Sequence, residues 1–171
     1  MKTFGTFLLL SLASASFAFA APKVDDAQIA AIVVAANQVD IDAGKFAADK
    51  TKNHEVEAFA KTMVTDHTAV NKSAGDLVAK LKVTPEENDT SRSLKAGGEA
   101  NIEKLKSLSG SAFDKAYVDH EVAYHEQVID ALDKVLIPNA SNAELKALLV
   151  QVRPAFVAHL EHAKHLQSSL H

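Results

Sequence analysis

The chain has 171 residues, with 18 Lys and Arg against 22 Asp and Glu, a formal net charge of −4, and no cysteine. The acidic balance and the lack of any basic run argue against nucleic acid as a partner. The missing thiols exclude disulfides, thiolate metal sites, cysteine nucleophiles and a lipid anchor built on cysteine.

Residues 1–20 read as a signal peptide. Met1-Lys2 supplies a positive start, Phe7–Leu12 a short apolar run, and Ala18-Phe19-Ala20 the small-x-small pattern that a signal peptidase cuts. The apolar run is too short for a membrane core of roughly 30 Å. The protein is therefore expected to be periplasmic or secreted, cut near Ala20/Ala21, with no membrane span. Residues 21–171 are expected to form a single helical-bundle domain, long enough for a real core.

No Val, Ile, Thr or aromatic run alternates with period two, and Gly and Pro are scarce, so the fold class is all-α. The first helix is predicted over Asp26–Lys50, capped by Asp25 or Asp26. Its stripe is Ile29, Val33, Ala36, Ala43 and Ala47, and Asp40 touches the stripe's edge. Gly44 costs about 1 kcal/mol against Ala in mid-helix and marks a close helix approach. The second helix starts behind Asn53 and runs to about Lys82. Its face reads Val56, Phe59, Ala60, Met63, His67, Val70, Ala74, Leu77 and Leu81, with His67 the one polar member and Asp66 on its flank.

Thr84-Pro85-Glu86-Glu87 reads as a capping box with Pro at the first helical position. It opens a crossover, Val83–Ser109, with one weaker helix that Gly97-Gly98 is expected to break or loosen. Ser111–Asp114 reads as a second capping box, starting a central helix that ends near Leu136 before Pro138-Asn139. Its face is Val118, Val122, His125, Ile129, Leu132 and Leu136. Ser141–Glu144 reads as a third box, opening a last helix that reaches about Ser168. Its face is Leu145, Leu148, Val152, Phe156, His159, Ala163 and Leu166. Pro154 removes the hydrogen bond to the Val150 carbonyl and is expected to kink this helix. Four long helices with a short extra helix in the crossover make an up-down four-helix bundle.

His67, His125 and His159 each stand alone on an apolar stripe. At one level of a bundle they would converge, with Asp40 or Glu121 completing a four-ligand set for zinc, copper or iron. Glu121 lies one turn before His125, so both can reach inward. The plainer alternative is a His–Asp–Tyr hydrogen-bond network that fixes helix register in a non-enzymatic envelope or stress-related structural or interaction protein. No catalytic residue is predicted. The residue three before each histidine is never a carboxylate, so the Glu-x-x-His pairs of a di-iron oxidase are missing. A Gly-x-Ser-x-Gly elbow and a phosphate loop are also missing. His162 and His165 share a face near the last helix end and read as a solvated terminus, where cationic imidazole suits the dipole.

Asp40-Ile41-Asp42-Ala43-Gly44-Lys45-Phe46, Met63-Val64…Asp66-His67, Phe113-Asp114…Tyr117 with His125, and Pro154…His159-Leu160 together resemble the bacterial exported domain-of-unknown-function family 4142. The resemblance covers Asp25–Leu166. It implies a ferritin-like bundle in the periplasm or outer envelope and no established activity. Its histidines match His67, His125 and His159. The chain departs from the family at Asp40 and Asp42, where the family usually has Glu.

Overall fold

The computed structural model describes residues 23–170, so the predicted signal peptide lies outside the described residues. Helix α1 spans Asp26–Lys50, α2 His54–Leu81, α3 Asp89–Lys106 and α4 Gly110–Ala131. A π-helical turn at Leu132–Leu136 and the short α5, Ile137–Asn139, extend α4. Helix α6 spans Ala143–Ser169. The protein is all-helical, and α1, α2, α4 and α6 form the four-helix bundle.

The buried side chains fall into two apolar clusters, one at each end of the bundle. One holds Ala43 and Ala47 of α1, Val56, Phe59 and Met63 of α2, Phe113, Tyr117 and Val122 of α4, and Leu160 and Leu166 of α6. The other holds Ile29 and Val33, Ala74, Leu132 and Leu136, and Leu145, Leu149 and Phe156. The order in which each helix meets the two clusters fixes its direction. The chain reverses from α1 to α2, from α2 to α3, and again into α4 and α6. With α3 as the crossover, α2 and α4 run parallel.

Several helix starts differ from the cap patterns in the sequence. Asp25 caps α1 in a reciprocal box with Gln28, and Asn53 caps α2, both as the patterns indicate. The Thr84 box does not form. Asn88 caps α3 in a reciprocal box with Ser91, and its side chain also donates to the Gln28 carbonyl, which ties the crossover to α1. The Ser111 box does not form either. Helix α4 begins two residues earlier, after a Ser109 that makes no side-chain cap bond, and Asp114 instead accepts from the Thr51 hydroxyl at 2.5 Å. Asn142, not Ser141, caps α6, because the Asp26 carboxylate takes the Ser141 and Asn142 amides. At α3 and α6 a partner distant in sequence ties down the segment where the cap forms.

Gly97-Gly98 does not interrupt α3. Gly98 is there for contact: a Cβ on it would lie 2.8 Å from a Val39 methyl carbon, so its lack of a side chain seats α3 on α1. Helix α6 runs on through Pro154. Val150, whose carbonyl Pro154 leaves free, is exposed, so water can take that carbonyl.

Gly44 sits at the α1–α2 contact, where a Cβ would lie 2.9 Å from the Ala60 carbonyl oxygen and 3.0 Å from a Val64 methyl carbon. The close neighbour is backbone, so the helices must separate to admit a methyl group. Gly44→Ala is expected to destabilise the protein by about 1–3 kcal/mol despite the better helix propensity of Ala. Chemical denaturation checks this, and a stabilised variant would contradict the close approach.

Candidate metal centre

Between the two apolar clusters lies one polar layer. Asp40 comes from α1, His67 from α2, Glu121 and His125 from α4, and His159 from α6. Each is exposed by 6% or less. The 3.6-residue period places one such residue inward where each apolar stripe passes mid-bundle. Glu121 and His125 are one turn apart on α4 and share a face.

The imidazole centroids are close together: His67 to His125 5.6 Å, His67 to His159 5.2 Å, and His125 to His159 5.5 Å. One ring nitrogen from each histidine lies within 4.8 Å of the other two. Asp40, Glu121 and His125 form an overlapping group on the same criterion. His67 Nε2 is 3.5 Å from Asp40 Oδ2, and His125 Nδ1 is 3.6 Å from Glu121 Oε2. The five residues that the sequence singled out therefore occupy one continuous buried cluster.

Each ring is held from one side. The Asn37 amide donates to the Val33 carbonyl at 2.7 Å, which turns its oxygen toward His67. His67 Nδ1–H then donates to Asn37 Oδ1 at 2.7 Å. His125 Nδ1–H donates to the Glu121 backbone carbonyl at 3.0 Å. His159 Nε2–H donates to the Asp66 carboxylate at 2.9 Å. These bonds assign the tautomers. They leave His67 Nε2, His125 Nε2 and His159 Nδ1 buried and without a hydrogen-bond partner among the described residues. Both Glu121 carboxyl oxygens and the Tyr117 hydroxyl are likewise buried and unpartnered. Unpaired buried polar atoms each cost roughly 1–3 kcal/mol, so their concentration in one layer is informative.

Burial disfavours charge on four of the five groups. Burial, then the charges of His125 and His159, lowers the His67 pKa to about 2. Burial, then the charge of His159, lowers that of His125 to about 4, against the opposing pull of the Glu121 carbonyl. Burial pushes Glu121 up to about 8, and burial followed by the Glu121 charge raises Asp40 well above the usual carboxyl range. At neutral pH the His67 and His125 rings are free bases and Glu121 holds its proton. Neutral imidazole is the form that binds metal.

Two contributors escaped the sequence reading. Asn37 lies one turn from both Val33 and Ile41 on the buried face of α1, and a polar residue at that position was the available signal. Asp66 was seen only as a flank of the His67 stripe, whereas its partner is His159 on α6. Tyr124 closes the layer from α4: its hydroxyl donates to the Ala36 carbonyl, and its ring stands edge-on to His125. His162 does face solvent, with its ring edge-on to Phe59 at 5.1 Å.

Residues 12–166 match the domain of unknown function DUF4142. The chain belongs to the DUF4142 family. No curated protein matches it in sequence. Among solved structures, a DUF305 protein of Streptomyces coelicolor, described as secreted, superposes with a TM-score of 0.72 at 14% identity, covering 84% of this chain and 92% of that one. CopM in its Cu(II)-bound form superposes with a TM-score of 0.67 at 12% identity, covering 88% of this chain and 100% of that one. At these identities the likeness concerns the fold. Among the described residues of this DUF4142 protein, no helix is long and apolar enough to cross a membrane.

The Glu121 shift gives a stability test. The unfolded carboxyl ionises near pH ~4.3, so as pH rises toward 8 the unfolded state loses its proton first and the fold loses stability. The lowered histidine pKa values act in the opposite sense, giving stability above about pH 6.5 that is lost in acid. Glu121→Gln leaves the histidines in place and removes the carboxyl titration. Its stability relative to wild type is expected to rise between about pH 4 and 8, by at most about 1.4 kcal/mol per pH unit. Urea denaturation across that range checks it, and a constant difference would contradict the raised pKa.

Proposed function

We propose that this protein is an exported, single-domain helical bundle that binds one transition metal ion in its core. The ligands are His67, His125 and His159 through their free nitrogens, with Asp40 and Glu121 supplying oxygen. The reading rests on one observation: three imidazoles from three helices, each fixed from outside by a hydrogen bond, turn unpaired nitrogens into one buried layer. Outer hydrogen bonds of this kind orient metal-binding histidines.

Metal–nitrogen bonds of ~2.0–2.1 Å put tetrahedral ligands about 3.4 Å apart, so the rings draw inward on binding. Mixed nitrogen and oxygen donors suit zinc, copper or iron, and among divalent ions such sites favour copper. The Cu(II)-bound form of a neighbour with the same fold supports copper(II) as the first ion to test. One divalent ion also balances the two carboxylates in charge. A periplasmic or secreted location is supported by the leader-like residues 1–20 and by the description of the DUF305 neighbour.

A second reading treats the layer as a device for helix register. It is favoured by the fact that each imidazole already has one partner. The two readings differ in what the metal-free protein does with added ion. The metal reading predicts one equivalent of copper bound, up to two protons released per ion near neutral pH, and a Kd that rises as pH falls. It also predicts a stabilisation of about 2.7 kcal/mol at a hundredfold excess over Kd, lost in His67→Gln. Titration calorimetry in buffers of different ionisation enthalpy reads binding and proton release together. Less than about a tenth of an equivalent of zinc, copper or iron, with no thermal shift, would sink the metal reading and leave the register device.

A further inference from the structure

The ligand layer is sealed on most sides. The side chains of Asp40, His67, Glu121 and His125 are exposed by 3% or less. Helix α3 lies over α1 on one side, seated by Gly98 against Val39. The seam between α2 and α6 is different. There the antiparallel helices meet through Phe59 with His162, Asp66 with His159, and His67 with Phe156. His159 is the most exposed of the three histidines, and the Asp66 side chain that grips it is 45% exposed. Asp66 is thus in contact with solvent at one edge and with a candidate ligand at the other. His162 stands one turn further along the same seam and is exposed.

We propose that the metal ion reaches the core through the α2–α6 seam, with the Asp66 carboxylate as its first ligand and His159 as the side chain that passes it inward. This rests on the metal reading of the core. Asp66 carries the properties the step requires. It is a half-exposed anion that can replace part of the ion's water shell at the surface. Its only partner among the described residues is the His159 Nε2–H, so an arriving cation competes for the same oxygen and frees the ring. The freed imidazole then turns toward His67, whose centroid is 5.2 Å away. His162, three residues on, offers a second imidazole at the mouth of the route. The groove between α3 and α4, lined by Gly97, His120 and Tyr124, is the competing route. It is closed to the layer by Tyr124, whose hydroxyl is tied to the Ala36 carbonyl.

The test is the rate of copper(II) uptake by metal-free protein. The chain has two tyrosines and no tryptophan, and Tyr124 lies against His125, so quenching of tyrosine fluorescence in a stopped-flow instrument follows arrival in the core. Asp66→Asn is expected to slow association about tenfold while still reaching one equivalent of copper at saturation. Asp66→Glu, which keeps the anion, is expected to stay within about twofold of wild type on the same grounds. Gly97→Leu narrows the α3–α4 groove at a position where an added Cβ meets nothing within 4 Å, and its rate is expected to be unchanged. An Asp66→Asn association rate equal to wild type, with only faster release, would reduce Asp66 to a support for His159 and overturn the route. A slowed Gly97→Leu would place the route at α3 and overturn it as well. Equilibrium binding by wild type separates these outcomes from failure of the core reading: protein that binds no copper overturns both.

Discussion

Three imidazole rings share one level of this bundle, and each is fixed at its outer edge by a hydrogen bond to a group on the protein. The Asn37 amide, the Glu121 carbonyl and the Asp66 carboxylate each accept one N–H. Those bonds assign the tautomers and aim the remaining lone pairs. Burial sets the protonation of His67 and His125, against the pull of the Glu121 carbonyl on His125. The depressed histidine values and raised carboxyl values are two results of the same burial. Because the rings sit on α2, α4 and α6, and Asp40 on α1, correct rotation of all four bundle helices is required to complete the layer.

The layer has a cost. It splits what would be one apolar core into two clusters, and it leaves several buried atoms without partners. An all-apolar middle would bury more surface and leave nothing unpaired. A pure register device needs only the outer hydrogen bonds and gains nothing from additional lone pairs turned toward one another. On the metal reading proposed above, a cation would reward that arrangement, because it would find the donors already held in position. The apolar clusters above and below would then exclude water from the ion and keep the donor geometry rigid.

Much of this was legible in residue order. The stripes of α2, α4 and α6 are strongly periodic, so their single polar members, His67, His125 and His159, stood out, and Glu121 followed from its spacing to His125. Asp40 was visible only at a stripe's edge, because α1 is apolar over a wide arc and its inward side is hard to read. Asn37 was hidden for the same reason. Asp66 could be placed on α2, but its bond to His159 joins residues 93 apart and depends on how α2 and α6 pack. Cap positions failed where several cap-forming residues adjoin, as at Ser141-Asn142, since the Asp26 contact that settles the choice comes from the other end of the chain. Gly97-Gly98 read as a break because propensity counts against glycine locally, whereas Gly98 serves a contact with Val39 on α1. The π-helical turn at Leu132–Leu136 left no mark beyond Pro138 close behind it.

The central claim is that three histidines surround one ion, and X-ray absorption at the copper edge of the loaded protein tests it most directly. The account predicts about three imidazole nitrogens near ~2.0 Å with their outer-ring scattering, oxygen completing the shell, and loss of one imidazole in each of His67→Gln, His125→Gln and His159→Gln. A copper environment dominated by oxygen, or one unchanged by all three substitutions, would contradict it and place the ion elsewhere on the protein.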